Sequence, residues 1–200
     1  TSTAEAYQAV NDRVMSTTDP DAPVVSHHGK GSRPRYHHHR AIDDAQGVIT
    51  AVETTPGSIA ENRKLMDLVE QHEANTHMPL RTVVADTKYG TAENFVSCQQ
   101  RGLSTHMGDL LRKQNHEKKL EGIFPESAFT YRPEDNSYLC PAGKVMVARR
   151  LHSQKRTWEY YVPERGCQSC QLRPHCTRAK MGRTLHRHEH QQLLDLARQQ

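Results

Sequence analysis

Apolar residues in this chain come in short bursts between breakers, and their period changes from one segment to the next. Residues 4–15 (AEAYQAVNDRVM) bring Ala6, Ala9, Val10 and Met15 to or near one side, which predicts a short helix. STTDPDAP ends it, and the Ser-, Gly- and His-rich run from Val24 to Pro34 predicts a mobile loop. Tyr36–Ile42 and Val48–Thr54 alternate as strands around Asp43-Asp44-Ala45-Gln46-Gly47, a hairpin turn, and Pro56-Gly57 breaks the second strand. Ser58, with Glu61 three residues on, reads as a capping box opening a helix to about His72, with Leu65, Leu68 and Val69 at helical spacing. Thr82–Ala85 reads as a short buried strand ending at Asp86. The tract Asp86-Thr87-Lys88-Tyr89-Gly90 turns into a helix over 92–100, Arg101-Gly102 ends it, and Leu103–Met107 predicts a further strand. A β-β-α-β-α-β order makes a mixed α/β sheet covered by helices.

Beyond Gly108 the pattern changes. A charged run (110–122) leads into aromatic, strand-like pieces, then Tyr138-Leu139-Cys140-Pro141-Ala142-Gly143, a strand over 157–162, and three cysteines within 164–180. A last helix, about 187–199, carries Leu193, Leu194 and Ala197. No internal repeat is visible.

Composition narrows the class. Of 200 residues 34% are hydrophobic and 6% aromatic, and the mean hydropathy is −0.86, so any core is small for the length. No apolar run approaches the length of a bilayer span, and no charged-then-apolar stretch of these residues reads as a secretory leader. The chain opens on Thr1, and a cytoplasmic fragment is expected. Net charge is +4, unevenly spread: residues 1–100 hold nine Lys and Arg against thirteen Asp and Glu, while 101–200 hold eighteen against ten. Eleven basic residues fall between Lys144 and Arg187, with only Glu159 and Glu164 opposing them. Such a surface attracts polyanions, nucleic acid above all; the plainer reading is a solvated face.

Two constellations could carry chemistry. Asp86, at the C-terminal end of a strand, occupies the place where α/β folds hold metal-binding carboxylates, and oxygen donors suit a magnesium-type ion. A solvated turn aspartate is the competing reading. Asp19, Asp21, Asp43 and Asp44 read as turn and loop formers. Lys88 could meet a DNA phosphate, as could Arg149, Arg150, Lys155 and Arg156 in the basic region, while Tyr89 is expected to pack on the neighbouring helix. The second constellation is sulfur: Cys167-x-x-Cys170 has the spacing of a metal knuckle, and Cys140 and Cys176 could complete a tetrahedral Zn2+ site. The knuckle at Cys140 is only half there, since position 143 is Gly. His175 or His152 could substitute as ligand, and reduced thiols in a small core remain the alternative. Cys98 reads as a core residue. His37, His38 and His39 alternate faces on a strand, and His27 and His28 fall in the loop. His186, His188 and His190 lie near the start of the last helix, and all of these read as surface or DNA-proximal groups.

In their order the segments Ser16–Ala22, Tyr36–Asp43 with Gly47–Ile49, Val83–Gly90, Tyr138–Gly143, Cys167–Cys170 through Cys176-Thr177, and His188–His190 resemble the DDE transposases of bacterial insertion sequences, in the subgroup with a cysteine-rich insertion. The resemblance covers most of residues 16–195. It implies a ribonuclease-H-like catalytic core in which three acidic residues hold two Mg2+ (or Mn2+) ions. The second of these residues falls on Asp86, and the other two would precede Thr1 and follow Gln200. Asp43 recurs in the family pattern and reads as structural. The implied layout is helix and loop (1–34), partial core (35–110), basic cysteine-rich insertion (111–185) and a C-terminal helix (186–200). The implied partners are DNA, as transposon ends and target, and a second copy of the chain, with no membrane. The implied activity is metal-dependent strand cleavage and strand transfer, with this piece inert alone. A non-catalytic, zinc-ribbon-like nucleic-acid-binding module, or a pseudogene remnant, is the other reading.

Overall fold

The computed structural model describes residues 16–27, 31–109 and 122–199. The helix expected at 4–15 and nearly all of the charged run lie outside those residues. The chain divides into two compact units, Thr1–Leu110 with Leu196–Gln200, and Leu111–Asp195.

In the first unit, Val24–His27 (β1) and Gly31–Pro34 (β2) pair antiparallel, which corrects the expected loop. All four residues of β2 are exposed, so no apolar alternation announced the strand. Tyr36–Ile42 (β3) and Ile49–Pro56 (β4) form the expected hairpin, running from Tyr36↔Pro56 to Ile42↔Ile49 with a bulge at Ala41/Ile42. Asp43 makes the turn: its carboxylate accepts from Gln46 N at 2.8 Å and its carbonyl from Gly47 N, with Gly47 at φ +68°. His37, His38 and His39 do alternate, and His39 is buried with Nε2 2.9 Å from Thr55 Oγ1.

The capping box does not form. Glu61–Lys64 is a 3-10 turn with no side-chain cap, and Ser58 Oγ is buried without a partner. Leu65–Thr76 (α1) follows, starting later and ending four residues later than expected, and closes on His77 in the left-handed conformation. It packs on the hairpin, tied by His72 Nδ1 to Thr50 Oγ1 at 2.8 Å and by Asn75 Nδ2 donating to Thr50 O at 2.7 Å. Thr82–Ala85 (β5), Ala92–Gln100 (α2) and Ser104–Met107 (β6) come next, with β5 and β6 parallel from Thr82↔Ser104 to Ala85↔Met107. Leu65, Val69, Val83, Cys98 and Leu103 make the core, where Cys98 is fully buried and Tyr89 packs at the margin, as expected of both.

Among the described residues the strands do not join into the single sheet that their order suggests; the hairpin and the parallel pair are separate two-stranded sheets. That corrects the reading of β5 as a buried strand, because only one of its faces is covered. Val83 is 8% exposed and Val84 77%, and Val52 on β4 is also exposed.

The second unit holds a five-stranded antiparallel meander: Thr130–Arg132 (β7), Ser137–Leu139 (β8), Val145–His152 (β9), Thr157–Tyr161 (β10) and Thr184–His188 (β11). Phe129, Met146, Tyr160 and Leu185 form its core. Tyr160 donates to Asn136 Oδ1 at 2.6 Å, and burial pushes its phenol up to about 12. A short helix, Arg173–Cys176 (α3), lies between β10 and β11, and Gln191–Ala197 (α4) follows β11. The last helix therefore starts later than expected, and His186 and His188 sit on a strand, where pairing with β10 overrides local helical spacing.

Candidate active site and thiol cluster

Asp86 stands exposed where β5 ends. Its Oδ1 accepts from Lys88 N at 2.7 Å, capping the 3-10 turn Thr87–Tyr89. The buried amide of Asn94 holds this turn from behind, donating to Tyr89 O at 2.8 Å and Asn62 O at 2.9 Å, so both Nδ2 protons are used. Thr91 caps α2 by accepting from Asn94 N at 3.3 Å. The Asp86 turn and the segment next to Glu61 are thus fastened through one side chain. From the front, Gly90 presses on Gly108: a Cβ on Gly90 would lie 1.7 Å from Gly108 O.

Lys88 Nζ lies 3.1 Å from Glu61 Oε2, and His37 Nε2 is 4.0 Å from the same carboxylate. These residues share an open cavity of about 250 Å³ with Ser26, Arg35 and Gly57, and Arg35 Nε is buried there without a partner. Burial first, then Glu61 and Asp86, push the Tyr89 phenol up, so both carboxylates face one neighbourhood. Among the described residues no set of three or more His, Cys, Asp or Glu is arranged to hold a metal ion. The sequence pointed to Asp86 and Lys88 but not to Asn94, Arg35 or Glu61. The only sequence signal for Arg35 is the basic pair Arg33-Pro34-Arg35, and Glu61 reads by spacing as a cap.

On the second unit, Arg149 and Arg150 converge on Glu159, at 3.6 and 3.3 Å, and His152 Nε2 lies 2.9 Å from it. Both arginine side chains stay more than half exposed, while Glu159 is 7% exposed. Arg156 pairs with Glu189 and donates to His190 Nε2 at 2.9 Å, and Lys155 is exposed on the β9–β10 turn. The His152 hydrogen bond holds the Glu159 carboxyl below its ordinary value; burial opposes this, and Arg150 and Arg149 assist it. A carboxyl lowered in the folded state stabilises fully above its unfolded value, about 4.3, and loses that contribution as pH falls through the folded value. Glu159→Gln should therefore cost roughly 1.5–3 kcal/mol at neutral pH, the scale of hydrogen bonds to charged groups, and flatten the acid branch of the stability curve. The fluorescence of Trp158, the one tryptophan, reads this out in urea titrations from pH 7 to pH 3. An acid branch as steep as that of the unaltered chain would remove Glu159 as its source.

Cys140, Cys167, Cys170 and Cys176 line one cavity of the second unit; neither His175 nor His152 does. All four are free and half-buried. Burial raises the Cys176 thiol, Arg183 opposes, and Cys167, Cys140 and Cys170 raise it further.

The model of the family described as transposase DDE domain matches residues 11–199. The chain belongs to that family, and its mixed α/β architecture is consistent with the ribonuclease-H-like domain of a DDE transposase. Transposases act on DNA, and DDE transposases generally use divalent metals such as Mg2+. Comparison with curated proteins and with solved structures gives no match. Among the described residues no helix is long and apolar enough to cross a membrane.

Proposed function

We propose that this chain supplies one corner of the metal-holding carboxylate set of a transposase that cleaves and joins DNA strands, and that the corner is Asp86. The observation that carries the reading is a solvent-facing carboxylate at a strand end, in a turn fixed from two sides by Asn94 and by Gly108. Carboxylate oxygens fit a Mg2+ or Mn2+ ion, which when bound would polarise the scissile phosphate and lower the pKa of an attacking water. Asp86 would hold that ion. Lys88, on a largely exposed ion pair worth little in itself, is free to exchange Glu61 for a DNA phosphate, beside Arg35 and His37. The basic second unit would grip the duplex through Lys155, Arg149, Arg150 and Arg156. Its role as a cysteine-rich insertion is supported within the first unit, where Arg198 Nε donates to Asp109 Oδ2 at 2.8 Å, so the chain returns beside the place it left.

One carboxylate cannot position a metal pair. This chain alone should therefore bind DNA and leave it intact, while the same chain in its full reading frame should cleave element ends in Mg2+ and stop in chelator. Cleavage that persists in chelator would sink the metal reading. Binding without cleavage in the full frame would favour a nucleic-acid-binding remnant, which the separate basic unit also fits. Binding should weaken steeply with salt, each phosphate contact adding about 0.9 to the log–log slope. Lys155→Gln should reduce that slope by about one contact; an unchanged slope would take Lys155 off the DNA.

A further inference from the structure

We infer that Cys140, Cys167, Cys170 and Cys176 bind a structural zinc ion as four thiolates, within the second unit and independently of the transposition reading. Two stretches well apart in sequence, one at Cys140 and one over residues 167–176, deliver these sulfurs to one cavity. Cys140 opens a tight turn in which Gly143 N donates to Cys140 O at 2.8 Å, Cys140 N to Lys144 O at 2.9 Å, and Lys144 N to Cys140 Sγ at 3.3 Å. Gly143 takes φ +72°, the left-handed conformation that such a turn asks of glycine. An amide aimed at a sulfur offsets thiolate charge, and the turn therefore works as a knuckle without a second cysteine. Cys167 and Cys170 come from the turn after β10, where Arg173 N donates to Cys170 O at 3.1 Å. Cys176 comes from α3. Gly182, at φ +108°, brings its backbone against Cys167, since a Cβ there would lie 3.0 Å from Cys167 Sγ.

Size and charge choose the ligand. The cavity offers about 20 Å³, and a single water needs about 10–15 Å³ of such space, so it admits an ion and not an organic molecule. Phe129, Met146, Val162 and Leu172 close it with apolar surface, which excludes competing water. Arg183 also lines it, with Nε buried and lacking any hydrogen-bond partner, and Lys144 lines it too. A buried guanidinium N–H without an acceptor is costly. Four thiolates around a divalent ion leave a net negative charge beside Arg183, while the Lys144 ammonium donates to Gly166 O at the same rim; that charge accounts for a buried guanidinium that neutral thiols leave unexplained. Among the described residues no ligand set stands ready-made, so binding draws the turns at 140–144 and 167–170 inward; metal and folding of this unit are coupled.

The 200-residue chain, purified without added metal, should carry one zinc ion per chain, and cobalt exchange should give the visible bands of tetrahedral thiolate coordination. Cys167→Ser and Cys170→Ser should lose the bound ion, while His175→Ala and Cys98→Ala should keep it. Chelator should shift Trp158 fluorescence, because the tryptophan packs against the same core cluster as Cys140 and Cys176. A folded chain without zinc and without cobalt bands would overturn the site, as would iron in place of zinc, a disulfide between any two of the four cysteines, or full zinc retention in both serine variants. Should the serine variants fail to fold, zinc content and the cobalt spectrum of the unaltered chain still decide.

Discussion

Asp86→Asn, in the full reading frame, should reduce strand cleavage by more than about 100-fold and leave DNA affinity within a few-fold. Loss of a residue that merely supports a metal ligand costs about 10–100-fold, so loss of a ligand should exceed that. The substitution is close to isosteric, and its amide oxygen can still accept from Lys88 N, as Oδ1 does at 2.7 Å. Asn and Asp are nearly equal as caps. The turn should therefore keep its shape, and unfolding cannot be the cause of lost activity; only the charge and a hard oxygen donor are removed. Cleavage assays at several Mg2+ concentrations, with binding measured beside them, separate the outcomes. A variant that cleaves within a few-fold of the unaltered protein would return Asp86 to the role of a solvated turn residue.

Gly90→Ala should be the most damaging small substitution in the first unit. The φ of Gly90 is −73°, which any residue tolerates, so the obstacle is space and not conformation. The new methyl would lie 1.7 Å from Gly108 O and 2.8 Å from Gly108 C, both backbone atoms that no rotamer change can move aside. Overpacking typically costs about 1–3 kcal/mol, and a backbone clash belongs at or above the top of that range. About 3 kcal/mol lowers Tm by upwards of roughly 10 °C in a unit of this size. Gly102→Ala is the control: its φ of +70° is unfavourable to alanine, yet nothing lies within 4 Å, so it should cost about 1–2 kcal/mol. If both variants melt together, the close approach of the two backbones is not what holds the Asp86 turn.

The sequence made visible those parts of the fold whose information is local. The hairpin at 36–56 announced itself by alternation around an Asp-Asp…Gly turn, and α2 by its breakers. What it misread was decided by distant partners. Ser58 and Glu61 have the spacing of a cap, but Glu61 is drawn to Lys88, 27 residues away, and the helix starts later. The strand β2 carries no buried face and hence no pattern. Arg187 and His188, the end of β11, read as the start of a helix because the pairing partner β10 lies more than twenty residues upstream. The same division runs through the candidate sites. Asp86 is legible as the residue that ends a strand, and four cysteines are legible by type. Asn94 is not, since nothing in Thr91-Ala92-Glu93-Asn94 tells that its amide reaches the carbonyl of Asn62. Nor does spacing choose Cys176 over its neighbour His175, which turns toward Phe124 instead.

The bond between Asp109 and Arg198 has a consequence for how this protein can vary. A polypeptide that departs and comes back at a single point sets no distance for what lies between to bridge. Lengthening such an excursion adds only a slowly growing entropic penalty, and the surrounding scaffold need not adjust. The stretch between those two residues can therefore be trimmed, enlarged or replaced over generations while the carboxylate-bearing turn stays as it is.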